Sequence, residues 1–109
     1  MICDRWDVAI VPFPFAERSD TKRRPALVLS ARVFNQAGHS VLCMLTSASH
    51  TPWPGDTRLT DLSSAGLNAP CIVRLKLFTL DNRLMIRKTG TLAEADRQAF
   101  SENLRIYLL

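Results

Sequence analysis

Lys22-Arg23-Arg24-Pro25-Ala26-Leu27-Val28-Leu29-Ser30 joins three consecutive cations to a wholly apolar run, and the fold follows from how that junction is read. Pro25 fixes its own φ and biases Arg24 toward an extended backbone, which makes Arg24 the expected last residue before a strand. Ala26 to Leu29 show no polar alternation, the pattern of a strand covered on both faces. A guanidinium held at the mouth of such a strand is a preorganised ligand for phosphate or carboxylate, because its planar fork matches two oxygens and stays charged at physiological pH. The same residues also fit a solvated basic turn leading into a core strand, and the stretch alone leaves both readings open.

Working outward, Asp7 to Phe13 is β-branched and apolar, a first strand from which Pro12 and Pro14 push the chain out of the sheet. Ala16 to Arg24 is then a polar connecting loop. On the other side, Asn35, Gly38 and His39 mark a turn, and Val41 to Thr46 is a third strand, again apolar on both faces. Two such strands in a small chain imply a tightly curled sheet, or one whose outer face is covered by a second copy. Ser47 to Asp56 is a second polar loop with Pro52-Trp53-Pro54-Gly55 at its tip. Thr57 to Leu62 alternates weakly, as an exposed strand would, and Ser63 to Pro70 returns the chain. Cys71 to Thr79 is the fifth strand, with Arg74 and Lys76 on one face and Val73, Leu75 and Leu77 on the other. Asp81-Asn82 turns into a sixth, Leu84 to Thr89.

Thr91-Leu92-Ala93-Glu94 has the capping-box spacing and predicts a helix from about Leu92 to Leu108. Its buried stripe is drawn from Leu92, Ala99, Phe100, Leu104, Tyr107 and Leu108. Six short strands and one C-terminal helix describe a mainly β chain, a small curled β-barrel with a helix packed against it. Residues 1–109 read as a single domain, long enough to bury roughly 65% of the surface that the unfolded chain exposes.

An apolar fraction of 47% with 22% charged residues is that of an ordinary globular protein. The net charge of +4 makes polyanions the natural class of partner. Cys3, Cys43 and Cys71 are odd in number and far apart, which argues against a disulfide framework or a zinc site and fits a reducing cytoplasm. His39 and His50 are the only histidines and stand too far apart to share a helix face around a metal. The longest apolar run, Val8 to Ala16, is too short and too interrupted by proline to cross a membrane. No metal, cofactor or membrane is expected.

Trp6-Asp7-Val8-Ala9-Ile10-Val11-Pro12-Phe13-Pro14-Phe15, then Lys22 to Ser30, then Leu45-Thr46-Ser47, together resemble the MazF/PemK family of toxin endoribonucleases. The likeness continues through Pro70 to Asp81, similar to that family's penultimate strand and turn, and Gly90-Thr91-Leu92, similar to the start of its helix. The resemblance implies an SH3-like small β-barrel that forms a homodimer. It implies a toxin of a type II toxin-antitoxin system that cuts single-stranded RNA at short sequences without a metal, and that a cognate antitoxin holds inactive. On the family's motif the catalytic arginine falls on Arg24 and the catalytic threonine on Thr46. The sequence departs from the family twice, with Trp6 where the first strand usually opens with glycine and Cys71 where serine is frequent.

Metal-free RNA cleavage uses the 2′-hydroxyl as nucleophile and leaves a 2′,3′-cyclic phosphate and a 5′-hydroxyl. The protein must hold the phosphate in line, stabilise charge on its oxygens and manage two protons. Arg24 supplies charge and Thr46 a hydrogen bond. A guanidinium is a poor base near neutral pH, so His50, in the loop after Thr46, stands as a proton carrier or else as a loop histidine with no task. Trp53, between two prolines, stacks a base or closes the loop over its own core. Lys22, Arg23, Arg58, Arg74 and Lys76 track the RNA backbone or form solvated faces. Sequence choice is expected from Ala16 to Thr21 and from Ser47 to Gly55, which makes Ser47 an RNA-binding candidate. Two rival readings share the fold: a toxin that poisons DNA gyrase through the C-terminal helix, and a nucleic-acid-binding module without activity.

Overall fold

The computed structural model describes residues 1–13 and 22–109, so the Ala16 to Thr21 loop lies outside the described residues. Six strands form one antiparallel sheet: β1 (Asp7–Pro12), β2 (Arg23–Val28), β3 (His39–Ser47), β4 (Thr57–Arg58), β5 (Cys71–Asp81) and β6 (Arg87–Thr91), in the order β4-β5-β3-β2-β1-β6. The connections carry two short helices, α1 (Arg32–Asn35) and α2 (Leu62–Ala65), and a 3₁₀ turn over Asn82–Leu84. The chain ends in α3 (Glu94–Tyr107).

Side chains alternate across each strand, so the curled sheet feeds two apolar clusters. Val8, Leu27, Cys43, Leu45 and Val73 pack with Leu92 and Phe100 on the side covered by α3, the helix face. Ala9, Val11, Phe13, Ala26, Val28 and Leu42 gather with Leu80 and Met85 on the opposite face. Phe100 is fully buried and meets the Trp6 ring edge-on, with centroids 6.2 Å apart. Burying such a ring stabilises the helix-sheet contact by about 2–3 kcal/mol.

Trp6, which replaces the expected glycine, adopts φ +79°, the left-handed region. Its amide donates to the Val28 carbonyl at 2.8 Å and its carbonyl accepts the Leu92 amide at 2.9 Å. Those two bonds and the Phe100 contact hold a conformation that costs a non-glycine residue about 1–2 kcal/mol.

Five expectations are corrected. Arg24 lies inside β2, opposite Val11, rather than ahead of the strand. The exposed strand over Thr57 to Leu62 shrinks to two paired residues. The buried Asp96 carboxylate accepts the amides of Thr60 and Asp61 and draws the chain off the sheet, and Asp61 then accepts the Ser64 amide to cap α2. The sixth strand starts at Arg87 because Asp81 accepts the Arg83 amide and initiates a 3₁₀ turn first. The capping box does not form: Thr91 ends β6 and its hydroxyl donates to Asp7 at 3.0 Å, so α3 begins two residues past the expected start. Leu92 and Phe100 of the expected stripe are buried and Leu104 half-buried, whereas Ala99, Tyr107 and Leu108 are exposed. Asp96 and Asn103 complete that face instead, Asn103 donating to the Thr57 hydroxyl at 2.8 Å. Among the described residues, no helix is long and apolar enough to cross a membrane.

Candidate active site

The β2–β3 ladder pairs Val28 with Leu42, Leu27 with Cys43 and Ala26 with Met44, and then stops. Leu29 donates its amide to Val41 at 2.9 Å, so the backbones of Leu27 and Pro25, at the same phase, also turn toward β3. Pro25 has no amide hydrogen to give the Leu45 carbonyl that stands opposite, and the ladder ends for that reason. Counting one step further sets Arg24 opposite Thr46. Opposed residues of an antiparallel pair share a face, so both belong to the face of Ala26 and Leu42 at the point where the strands are free to part.

The row continues across the sheet. Thr46 pairs with Ile72 of β5, and Ile72 with Arg58 of β4. Arg24, Thr46, Ile72 and Arg58 thus form one line on one face, a hydroxyl between two guanidiniums. Strands lie about 4.8 Å apart, which sets Arg24 one strand and Arg58 two strands from Thr46. Arg24 is half-buried, its guanidinium carbon 5.8 Å from the centroid of Phe13, whose ring in turn meets Phe78 edge-on at 6.0 Å. Neither Arg24 nor Arg58 makes an ion pair or hydrogen bond among the described residues.

Thr46 is 3% exposed, and its hydroxyl lies 2.6 Å from Nδ1 of His50. A tight turn makes that contact: the His50 amide donates to the Ser47 carbonyl at 3.2 Å. The Ser47 hydroxyl takes the Ser49 amide at 3.3 Å and pairs with the Ser49 hydroxyl at 2.8 Å. Ser47 therefore shapes the turn that brings His50 back over Thr46.

One row along the same face, Arg74 stands opposite Met44. Its side chain is only 10% exposed and forks onto Asp56, Nε at 3.1 Å and Nη2 at 2.9 Å, while Nη2 also reaches the Thr51 carbonyl at 2.8 Å. Asp56 accepts the Trp53 amide at 2.9 Å, and Gly55 supplies the φ of +80° that the turn requires. The Trp53 ring carries Arg74 at 5.5 Å and Lys76 at 5.1 Å from its centroid and remains 42% exposed. A register slip between Cys43 and Met44 accompanies this corner. Cys43 donates its thiol hydrogen to the Arg74 carbonyl at 2.6 Å, and burial pushes that thiol up to about 12, so it stays protonated.

The structure thus brings Arg24, Thr46, His50 and Arg58 together, with Trp53, Arg74 and Lys76 beside them. Arg23, next to Arg24 on the strand, turns to the helix face and is exposed. Lys22 is exposed at the strand mouth, where its carbonyl accepts the Phe13 amide at 3.0 Å. Asp56, the anchor of the Trp53 turn, was not singled out from sequence; the Pro-Gly-Asp turn at positions 54–56 is the signal that marks it. Among the described residues, no group of three or more His, Cys, Asp or Glu side chains is placed to hold a metal ion.

Over residues 4–108 the sequence matches the profile of a family described as PemK-like, MazF-like toxin of type II toxin-antitoxin system. Among solved structures, MazF (Form-I) from Deinococcus radiodurans has a TM-score of 0.77 at 23% identity, covering 99% of this chain and 97% of that one. An endoribonuclease in complex with its cognate antitoxin, from a mycobacterial species, has a TM-score of 0.77 at 18% identity, covering 97% and 94%. The Mycobacterium tuberculosis toxin MazF-mt6 has a TM-score of 0.72 at 19% identity, covering 90% and 91%. At these identities the likeness is one of fold. No curated protein matches the sequence significantly.

Proposed function

We propose that this chain, which belongs to the PemK-like, MazF-like family of type II toxin-antitoxin toxins, is an endoribonuclease that cuts single-stranded RNA at short sequences without a metal. The observation that supports the proposal is the row on one face that runs from Arg24 through Thr46 and Ile72 to Arg58, at the end of the β2–β3 ladder. A phosphodiester seated there meets a fork of N–H donors from one side and a second cation from the other.

The reaction is attack of the ribose 2′-oxygen on phosphorus. The P–O5′ bond breaks, the 2′-hydroxyl proton leaves, and the 5′-oxygen gains one. Charge grows on the two non-bridging oxygens as the phosphorane forms, and fixed donors aimed at it lower the barrier without reorganising. Arg24 makes this contribution from a strand, on a side chain steadied by Phe13. Thr46 adds a hydrogen bond from the neighbouring strand. The role of Arg24 is electrostatic, since a guanidinium keeps its proton near neutral pH.

Trp53 offers a stacking surface to a base beside the cut, while Arg58, Lys76, Lys22 and Arg23 follow the phosphates. Arg74 serves the same end indirectly, by holding the Trp53 turn through Asp56. The chain acts as a homodimer, and its cognate antitoxin inhibits by laying an acidic and apolar segment over the Arg24 cleft in competition with RNA.

The test is incubation of purified protein with RNA in EDTA, followed by mapping of the new ends. Cuts leaving a 2′,3′-cyclic phosphate and a 5′-hydroxyl are expected, slowed about 10²–10³-fold by Arg24→Ala and less by Thr46→Ala. Intact RNA, or an Arg24→Ala variant that cuts like the wild type, defeats the proposal.

A further inference from the structure

We infer that His50 is a positioning residue whose Nδ1 hydrogen sets the direction in which the Thr46 hydroxyl points its own, an inference that rests on the ribonuclease reading above. A hydroxyl has one hydrogen to give and two lone pairs to receive with. Thr46 is almost wholly buried and its oxygen lies 2.6 Å from Nδ1, so one of the two atoms must donate to the other. With a hydrogen on Nδ1, Thr46 accepts from the ring and its hydroxyl hydrogen is left for a phosphate oxygen in the cleft. With Nδ1 bare, the hydroxyl spends its hydrogen on the imidazole and turns lone pairs toward the phosphate. Only the first arrangement helps an anionic transition state.

The turn is built to hold this contact. His50 is exposed, yet it is tied back by its amide on Ser47, and the paired hydroxyls of Ser47 and Ser49 close the loop beneath it. The charged groups on the strands around it are Arg24 from β2, Arg58 from β4, and from β5 Arg74 with its partner Asp56. The thiol of Cys71, opposite Ser47, is the one other titratable group at this end of β5, and burial raises it.

Two measurements test this. Nitrogen-detected NMR of the imidazole, on the free protein and on Thr46→Val, locates the proton: hydrogen on Nδ1 is expected in the wild type, with its hydrogen-bond signature lost in the variant. Proton on Nε2 alone overturns the inference whether or not RNA is cut. The second is kcat and KM against pH for wild type, His50→Ala and His50→Asn, the last placing an amide donor near Nδ1 that never titrates. The kcat of the wild type and of His50→Asn is expected to follow pH alike, since both present a donor to Thr46. His50→Ala is expected to lose about tenfold in kcat with KM unchanged, and His50→Asn to recover most of it. A kcat that instead rises with pH, a rise lost in His50→Asn, makes His50 a general base and overturns the inference, as does an Asn variant no better than Ala. Wild-type protein that leaves RNA intact at every pH overturns the ribonuclease reading instead.

Discussion

Arg24 and Arg74 lie on one face of one sheet, a row apart, and serve opposite ends. Arg74 is nearly buried, forked onto Asp56 and bonded to the Thr51 carbonyl, so its charge is spent inside the molecule. Arg24 rests on the Phe13 ring with no ion pair among the described residues, at a place where proline has stopped the strands from pairing. Arg74 fixes a loop, and in the proposed reaction Arg24 is the one that meets an anion. Burial and partner, and not residue type or strand position, separate structure from function here. An unpaired charge keeps its binding energy for a ligand, whereas a neutralised one has already released it.

The largest expected contrast is between the two alanine-scale losses. Arg24→Ala should lower the rate of RNA cleavage by about 10²–10³-fold, equivalent to about 3–4 kcal/mol of barrier, while urea denaturation finds stability unchanged within about 0.5 kcal/mol. Arg74→Met should do the reverse, removing about 3 kcal/mol of stability because Asp56 is left buried without its partner. The double variant Arg74→Met/Asp56→Leu should regain more than half of that loss, since the stranded carboxylate is gone. If Arg24→Ala unfolds the protein and Arg74→Met spares it, the contrast is reversed and the roles assigned to the two corners fall together.

This contrast also marks what was legible in the sequence. The apolar runs at Asp7 to Phe13, Ala26 to Leu29, Val41 to Thr46 and Cys71 to Thr79 display strands directly, because burial on both faces leaves no other composition. Arg24 stands out through its proline and Thr46 only through the family resemblance, and the register puts them on one face. The fate of Arg74 could not be seen, since it depends on Asp56, eighteen residues away across a turn. The short β4 likewise depends on Asp96, thirty-six residues downstream of Thr60, and no local pattern announces that bond. His50 was noticed for its chemistry; its contact with Thr46 comes from a serine turn whose hydroxyls are bonded to each other and to backbone.

The helix-face anchor offers a third, smaller measure of a spent charge. Burial pushes the Asp96 carboxyl upward, but the Asp61 amide and the hydroxyl and amide of Thr60 outweigh it and hold it below the ordinary carboxylate range. A lowered folded value means that the stabilisation is complete above the unfolded carboxyl value of about 4 and is lost as pH falls through the folded one. Denaturation midpoints should therefore drop on acidification below about pH 4, and Asp96→Asn should flatten that drop while costing about 2 kcal/mol at neutral pH. An acid limb unchanged in Asp96→Asn removes Asp96 from the account of how β4 is held.

The smallest expected effect on cleavage bears on why Arg24 has no ion pair among the described residues. Pro25→Ala restores an amide facing the Leu45 carbonyl, so the β2–β3 ladder can extend by one bond and draw Arg24 toward Thr46. Stability should change by no more than about 1 kcal/mol, because the new hydrogen bond is offset by the entropy that alanine returns to the unfolded chain. Amide exchange at position 25 should be slow, which reports the added bond. Cleavage should fall by about tenfold, since a paired strand end narrows the opening that a phosphate must enter and fixes Arg24 in the ladder. If the new amide is protected and cleavage stays at the wild-type rate, the gap left by Pro25 is incidental and Arg24 owes its availability to Phe13 alone. If the amide exchanges freely, the strands part for a reason other than proline, and what separates the Arg24 corner from the Arg74 corner is that Arg24 has no aspartate partner among the described residues.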